Sequence, residues 1–167
     1  VKSVKKIVYA SSSEVYGPSP IVPTKETEPM ILDVLADRDS YSSSKVSGEF
    51  MVKLWSKQNN RKYLIIRPFN TYGTRMATNG YGQVIPEFIE RIQSSDKFYL
   101  FGDGNQTRSF CYVKDHTQIV TKLIEDVEDE ILNIGYDEEI TINDLAKTIH
   151  EIMGIDYNPS YKDAWTN

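Results

Sequence analysis

Tyr41 and Lys45 are the residues of this sequence whose types and spacing first suggest chemistry. They are four positions apart, so in a helix they would share one face, one turn from each other. A lysine ammonium beside a tyrosine favours the phenolate, and a phenolate is a base able to take a proton from a hydroxyl group. Tyrosine and lysine at this spacing also occur by chance in many helices, so the meaning of the pair depends on its surroundings.

The helix that must hold this pair is predicted to begin at Asp39 or Ser40, either of which can cap it, and to end at about Lys57. Its predicted buried side is formed by apolar residues at roughly helical spacing, namely Val46, Phe50, Met51, Leu54 and Trp55. Apolar runs at 5–10 and 62–67 predict a buried strand on either side of the helix. This strand–helix–strand order predicts a parallel pair in an α/β sheet.

Polar segments follow both predicted strands, at 11–17 and at 68–73. The carboxyl ends of parallel strands lie at one edge of an open α/β sheet, where ligands bind. We therefore expect the two segments to converge on one crevice. The first contains Ser11, Ser12, Ser13 and Glu14, which also suit a simple turn, and position alone favours the turn.

The remaining elements are predicted from the spacing of apolar residues and from capping and turn-forming residues. Residues 18–38 form a long surface loop, a kind of segment that is often functional. Stretch 76–82 is predicted to be flexible and bears glycines, 155–167 shows no clear period, and 106–108 lie in a loop after a glycine turn. Thr141 and Gly154 are the predicted cap and stop of one helix. The other predicted segments are helices at 84–92, 114–126 and 142–153, and strands at 98–101, 109–113 and 131–135.

Composition excludes several classes of function. The net charge of −5, with no strongly basic patch, argues against nucleic acid as a partner. One cysteine and two histidines are too few for a disulfide framework or a metal cluster. The sequence shows no signal peptide and no apolar run that would span a membrane, so the cytoplasm is the expected location. The first residue is Val1 and a strand follows almost at once, which predicts a fragment of a longer protein.

Four sequence blocks, taken together, resemble the extended short-chain dehydrogenases, and more narrowly the NAD-dependent nucleotide-sugar epimerases, dehydratases and decarboxylases. The resemblance covers most of the chain. It rests on Ser11-Ser12-Ser13-Glu14-Val15-Tyr16-Gly17, Tyr41-x-x-x-Lys45, Arg67-Pro68-Phe69-Asn70-Thr71-Tyr72-Gly73 and Gly102-Asp103-Gly104-x-Gln106-Thr107-Arg108-Ser109-Phe110.

The resemblance implies a Rossmann-like, doubly wound parallel sheet with part of a smaller substrate-binding domain. Residues 1–73 would be the second half of the NAD-binding domain. Residues 74–167 would be mostly substrate-binding, with 111–135 packing back on the sheet. The glycine-rich phosphate loop and the C-terminal region of the family are not in this sequence. The fragment alone is therefore expected to bind NAD poorly.

By similarity, Tyr41 is the base that takes the proton of the sugar 4-hydroxyl, and Ser12 hydrogen-bonds the same hydroxyl. Lys45 would hold the nicotinamide ribose and keep Tyr41 acidic. Ser11 and Pro68 would line the cofactor pocket. NAD would take the hydride from the carbon, which produces a 4-keto sugar.

The resemblance also implies contacts to the rest of a nucleotide-diphosphate sugar. Asn70 and Arg108 match residues that hold the diphosphate, and a guanidinium suits phosphate geometry. Phe101 lies near the position that packs the base, although a plain strand residue is an equal alternative. Full-length members of the family often form homodimers, and Phe50 would suit such an interface as well as a monomer core.

The residues Ser13 and Glu14 bear on which reaction follows the 4-keto sugar. Dehydratases of the family have an aspartate and then a glutamate there, and serine is a poor acid for expelling hydroxide. The pair resembles that of UDP-glucuronate decarboxylases, and a small residue after the serine also suits 4-epimerases. Epimerase and decarboxylase therefore stay open, with a dTDP-glucose 4,6-dehydratase as the third alternative. Two rivals are a non-catalytic NAD-binding relative and an inactive piece whose only property is association.

Overall fold

The protein is described by a computed structural model that covers residues 3–18, 21–77, 83–94 and 97–163. Parts of the predicted loops at 18–38, 76–82 and 155–167 lie outside these residues. The described elements in chain order are β1 (Lys6–Ala10), a 3₁₀ helix (Ser13–Tyr16), α1 (Asp39–Asn59), β2 (Lys62–Pro68), β3 (Thr71–Tyr72), α2 (Val84–Gln93), β4 (Tyr99–Phe101), β5 (Thr107–Arg108), β6 (Cys111–Tyr112), α3 (Val113–Asp126), β7 (Glu130–Ile134), β8 (Ile140–Thr141), α4 (Ile142–Met153) and β9 (Ser160–Lys162).

The chain divides into two compact units, one of residues 1–71 and 111–137 and the other of residues 72–110 and 138–167. The assignment of NAD binding to the N-terminal part and of substrate binding to the rest stays a prediction. Among the described residues, no helix combines the length and the apolar character needed to cross a membrane.

The first unit contains a three-stranded parallel sheet in the order β1-β2-β7, which confirms the predicted α/β class and parallel pair. Ala10 lies opposite Ile66, and Pro68 lies opposite Ile134. Side chains alternate across β2, so Leu64 and Ile66 point to one face, where Val120 of α3 packs against their cluster. Helices on both faces explain why β2 reads as one apolar run.

Helix α1 packs on β1 and β2 through a polar side that the sequence did not predict. Its buried residues are Ser42, Glu49 and Ser56, whereas Phe50 is 69% exposed. The predicted apolar buried side is therefore wrong. Small residues allow a close approach to the strands, since a Cβ on Gly48 would overlap the ring of Tyr9. The predicted capping by Asp39 or Ser40 is also wrong, because the N-cap residue is Arg38 and its side chain makes no capping hydrogen bond.

The second unit has its own apolar core, shared by α2, α4 and β4. Strands β4 and β9 pair in parallel, and β5 pairs with β8 in antiparallel orientation. The predicted ends of α4 are confirmed, because the Thr141 side chain accepts a hydrogen bond from the Asp144 amide and Gly154 is left-handed. The buried members of the core are Phe88, Ile92, Phe98, Leu100, Ile142, Leu145, Ala146 and Ile149.

Candidate active site

The segment after β1 forms a short turn that presents polar groups at the end of the strand. The amide of Ser11 donates to the carbonyl of Ile66 at 2.8 Å, which extends the parallel ladder by one residue. The Ser12 Oγ caps the 3₁₀ helix by accepting a hydrogen bond from the Glu14 amide at 3.2 Å. Because Oγ acts here as an acceptor, the Ser12 hydroxyl keeps its own proton to donate. Glu14 is exposed, and Ser13 opens the 3₁₀ helix beside it.

Tyr41 and Lys45 lie in the first two turns of α1, so the helix predicted to hold them is confirmed. The Lys45 Nζ donates to the Ala10 carbonyl at 3.0 Å and lies 5.6 Å from the centroid of the Tyr41 ring. The Tyr41 side chain is 50% exposed. The ammonium group therefore sits between the phenol and the carboxyl end of β1, two residues before Ser12.

The end of β2 lies beside the 3₁₀ helix. The rings of Tyr16 and Phe69 are 6.2 Å apart, so the two segments are neighbours as predicted, whereas the crevice between them stays a prediction. Pro68 is the last residue of β2, and the Phe69 amide donates to the Ile134 carbonyl at 2.8 Å. Asn70 then adopts a positive φ of 31° and is exposed. The chain thus turns sharply where the predicted diphosphate-binding residue stands.

Phe101 and Arg108 belong to the second unit and are described within it. Phe101 lies in β4 and packs edge-on against Tyr99, with 5.4 Å between the ring centroids. Arg108 is exposed, and its Nη1 donates to the Thr107 carbonyl at 2.8 Å. The predicted loop at 106–108 is wrong in part, because Thr107 and Arg108 form β5 by pairing with β8. The roles of Phe101 and Arg108 in binding stay predictions.

Sequence reasoning missed a hydrogen-bonded group around a buried arginine, which we call the Arg67 network and which consists of Arg67, Glu49, Tyr16, Glu26 and Asn133. Arg67 is 2% exposed, and its Nε and Nη2 donate to the two carboxylate oxygens of Glu49 at 2.9 and 2.7 Å. Its Nη1 donates to the Tyr16 hydroxyl at 2.7 Å and to the Glu26 carbonyl at 3.2 Å. The Tyr16 hydroxyl donates in turn to Asn133 Oδ1 at 2.7 Å.

Burial opposes the charge of Arg67, but the hydrogen bonds to Glu49 and Tyr16 and the charge of Glu49 together raise the pKa of Arg67 above its usual value. The guanidinium is therefore charged at every working pH. A signal for this pair was present in the sequence, because Glu49 follows Lys45 by four positions on one helix face and Arg67 interrupts an apolar strand.

A second polar contact lies behind the end of β2. Thr71 Oγ1 and His116 Nδ1 of α3 are 3.0 Å apart, and burial lowers the pKa of His116. The neutral imidazole is therefore favoured at this position. His116 lies in the first turn of α3, near the predicted helix start, and its contact with Thr71 ties that helix to the segment leaving β2.

Two of these residues have groups suited to a cofactor at the end of β1. The Ser11 hydroxyl is buried and has no hydrogen-bond partner among the described residues. An ammonium has three N–H donors, and Lys45 directs one of them to Ala10. Both groups can therefore hydrogen-bond the hydroxyls of a ribose or the amide of a nicotinamide.

Comparison with known proteins identified similar chains. The profile of the NAD dependent epimerase/dehydratase family matches residues 1–135. The UDP-N-acetyl-alpha-D-glucosaminuronate decarboxylase of Bacillus cytotoxicus is 35% identical over 91% of this chain and 47% of its own length. A putative UDP-glucose 4-epimerase of Methanocaldococcus jannaschii is 36% identical over 89% of this chain and 48% of its own.

A solved structure gives the same picture. The UDP-glucose 4-epimerase of Thermotoga maritima, determined with UDP-glucose, superposes with a TM-score of 0.88 at 32% identity. The match covers 98% of this chain and 52% of that one. The chain therefore spans about half the length of the curated relatives it matches.

Proposed function

Because the chain belongs to the NAD-dependent epimerase/dehydratase family, a family of enzymes, we propose that the protein converts a nucleotide-diphosphate sugar through a 4-keto intermediate. The observation that carries this proposal is the position of the Lys45 ammonium, 5.6 Å from the ring centroid of Tyr41 and bonded to the end of β1. That arrangement places a cation beside the phenol and ties both to the end of the strand from which Ser12 follows, which suits proton removal from an alcohol.

In the proposed first step, Tyr41 accepts the proton of the sugar 4-hydroxyl while the Ser12 hydroxyl donates a hydrogen bond to the same oxygen. NAD, when bound, would supply the acceptor for the hydride of C4. Lys45 would hold the ribose of the cofactor and would place a positive charge beside the Tyr41 phenol. The half-exposed phenol of Tyr41 supports this role, because a base must be reachable by its substrate. In the last step Tyr41 returns the proton as C4 is reduced again.

The step between these two determines the product, and we propose a UDP-sugar 4-epimerase or a UDP-glucuronate decarboxylase. In an epimerase the keto sugar turns over and is reduced on its other face. In a decarboxylase the C5–C6 bond breaks, carbon dioxide leaves, the 4-ketone takes the electron pair, and C5 gains a proton. Neither path needs a strong acid at Ser13. A 4,6-dehydratase does, because it expels hydroxide.

Turnover assays on the complete gene product that contains this chain would test the proposal. The enzyme is incubated with NAD and with UDP-glucose or UDP-glucuronate. Inversion at C4 by proton NMR selects the epimerase, and carbon dioxide release selects the decarboxylase. Loss of activity is expected for Tyr41→Phe but not for Tyr63→Phe, a tyrosine at the opposite end of β2. An unchanged rate in Tyr41→Phe would remove Tyr41 from the reaction.

We also propose that the protein is a homodimer, which would cover the exposed apolar side of α1. Phe50, Met51 and Leu54 are exposed there, and a second copy of the same helix could bury them. In analytical ultracentrifugation, Phe50→Glu should shift the mass toward the monomer, whereas Ile152→Glu on the exposed side of α4 should not. A monomeric unmodified protein would contradict this interface.

A substrate of this class and NAD also fit the cytoplasm, where we propose the protein works and where cell fractionation would find it.

A further inference from the structure

We propose that Arg67 is a positioning residue, which fixes the turn carrying Ser12 and Glu14 relative to the helix face carrying Tyr41 and Lys45. This inference rests on the proposed function. Arg67 does not itself face the reacting atoms, because its guanidinium is buried and already bonded to Glu49, Tyr16 and Glu26.

One face of α1 connects the pair Tyr41 and Lys45 to the Arg67 network. Tyr41, Lys45 and Glu49 follow each other at intervals of four, so they lie along one side of the helix. Exposure decreases along this side, from 50% at Tyr41 to 4% at Glu49. The two charge-assisted bonds from Arg67 hold Glu49 in a fixed fork geometry, and this fixes the rotation of α1 about its axis.

The turn that carries Ser12 is also bonded to Arg67. Tyr16 is the last residue of the 3₁₀ helix whose cap is Ser12, and its hydroxyl accepts from Arg67 Nη1 and donates to Asn133. The Arg67 guanidinium also lies 4.9 Å from the centroid of the Tyr16 ring. Position of the turn therefore depends on the same cation that fixes α1.

Misplacement of Tyr41 relative to Ser12 would lower the reaction rate. A phenol base and a hydroxyl donor must meet one oxygen atom of the substrate, and a displacement of about 1 Å between such groups lowers the rate by about 100-fold. Loss of the Tyr16 hydroxyl should affect turnover and leave binding of nucleotide sugar nearly unchanged, since Arg108, the exposed residue proposed to bind the diphosphate, is not one of the five residues of the Arg67 network.

The test uses Tyr16→Phe in the complete gene product, with Ile65→Val as a variant of comparable stability loss in the buried centre of β2. For Tyr16→Phe we expect kcat to fall about 10–100-fold with KM within about twofold. Ile65→Val should keep both constants. Hydrogen exchange of the amides in 12–17 should become faster in Tyr16→Phe alone.

A double variant distinguishes loss of the positioning role of Arg67 from the destabilisation caused by an unpaired buried charge. Glu49→Gln alone leaves the Arg67 cation without its carboxylate and is expected to unfold easily. Arg67→Met combined with Glu49→Leu removes both charges, and such exchanges often keep the fold. We expect this double variant to melt within a few degrees of the unmodified protein and yet to lose kcat as Tyr16→Phe does.

The outcomes distinguish this inference from the proposed function. If the unmodified protein turns over nucleotide sugars and both variants keep its kcat, the positioning role is refuted while the function stands. If the unmodified protein turns over none of them, the function fails. The exchange rates of 12–17 then decide the positioning role, since unchanged exchange refutes it and faster exchange supports it.

Discussion

Gly17 ends the turn that carries Ser12 and Glu14, and its replacement by alanine should be among the most destabilising single changes in the first unit. Gly17 has φ 62° and ψ −146°, a conformation that essentially only glycine adopts. A Cβ there would overlap the carbonyl oxygen of Ile31 and lie 3.0 Å from its carbonyl carbon. Backbone strain of about 2 kcal/mol and overpacking of about 2 kcal/mol give a loss of about 4 kcal/mol.

Gly154 provides a matched control for Gly17. Its φ is 68°, but a Cβ there would meet no atom within 4 Å. Gly154→Ala should therefore cost only the left-handed backbone term, about 1–2 kcal/mol. The difference between the two variants isolates the overlap with Ile31.

Native-state hydrogen exchange of the complete gene product would measure both losses, with the amides of β2 reporting on the first unit and those of α4 on the second. Reading each unit separately avoids the assumption that the two unfold together. A loss from Gly17→Ala no larger than that from Gly154→Ala would contradict the expected overlap with Ile31. It would mean that Ile31 moves aside at little cost.

Three further predictions concern separate regions. Burial lowers the pKa of His116 in the folded protein, so the unfolded chain binds a proton more readily at this position. The free energy of unfolding should therefore fall as the pH drops below about 6.5, the pKa of an unperturbed histidine, toward the pKa of the folded protein. His116→Gln should reduce that fall when urea titrations at pH 7 and pH 5 are compared. Asn143 Oδ1 accepts hydrogen bonds from the hydroxyls of Tyr157 at 3.3 Å and Tyr161 at 3.1 Å. Asn143→Ala should therefore lower the stability of the second unit by about 2 kcal/mol, measured by hydrogen exchange of the α4 amides. An unchanged exchange rate would refute the role of these bonds. Arg108→Ala should raise KM for the nucleotide sugar about tenfold, because a charge-assisted contact to the diphosphate is lost. The melting temperature should stay unchanged, because the Arg108 side chain is exposed. An unchanged KM would remove Arg108 from substrate binding.

Much of the fold could be predicted because its signals are local. Apolar runs predict β1, β2 and β7, and the polar cap and glycine stop predict both ends of α4. The pair Tyr41 and Lys45 was found for the same reason, since four-residue spacing within one helix places the two side chains together. These features depend on neighbours in sequence, which a single chain displays directly.

The buried side of α1 could not be predicted from apolar periodicity. Ser42, Glu49 and Ser56 repeat every seven residues, but all three are polar, so a search for apolar spacing selects the exposed side that contains Phe50. Glu49 is tolerated there only because Arg67, which lies in a different element, supplies the compensating charge. Strands β5, β8 and β9 have two or three residues each and depend on distant partners, so they too leave no local period.

The hydrogen bond from Tyr16 to Asn133 joins residues that are 117 positions apart. Loop closure over such a separation is entropically costly, and contacts of this kind form slowly. The turn that carries Ser12 can therefore reach its final arrangement only after β7 has joined the sheet. On the ribosome, a nascent chain would hold helix α1 and the first two strands well before that turn could be completed.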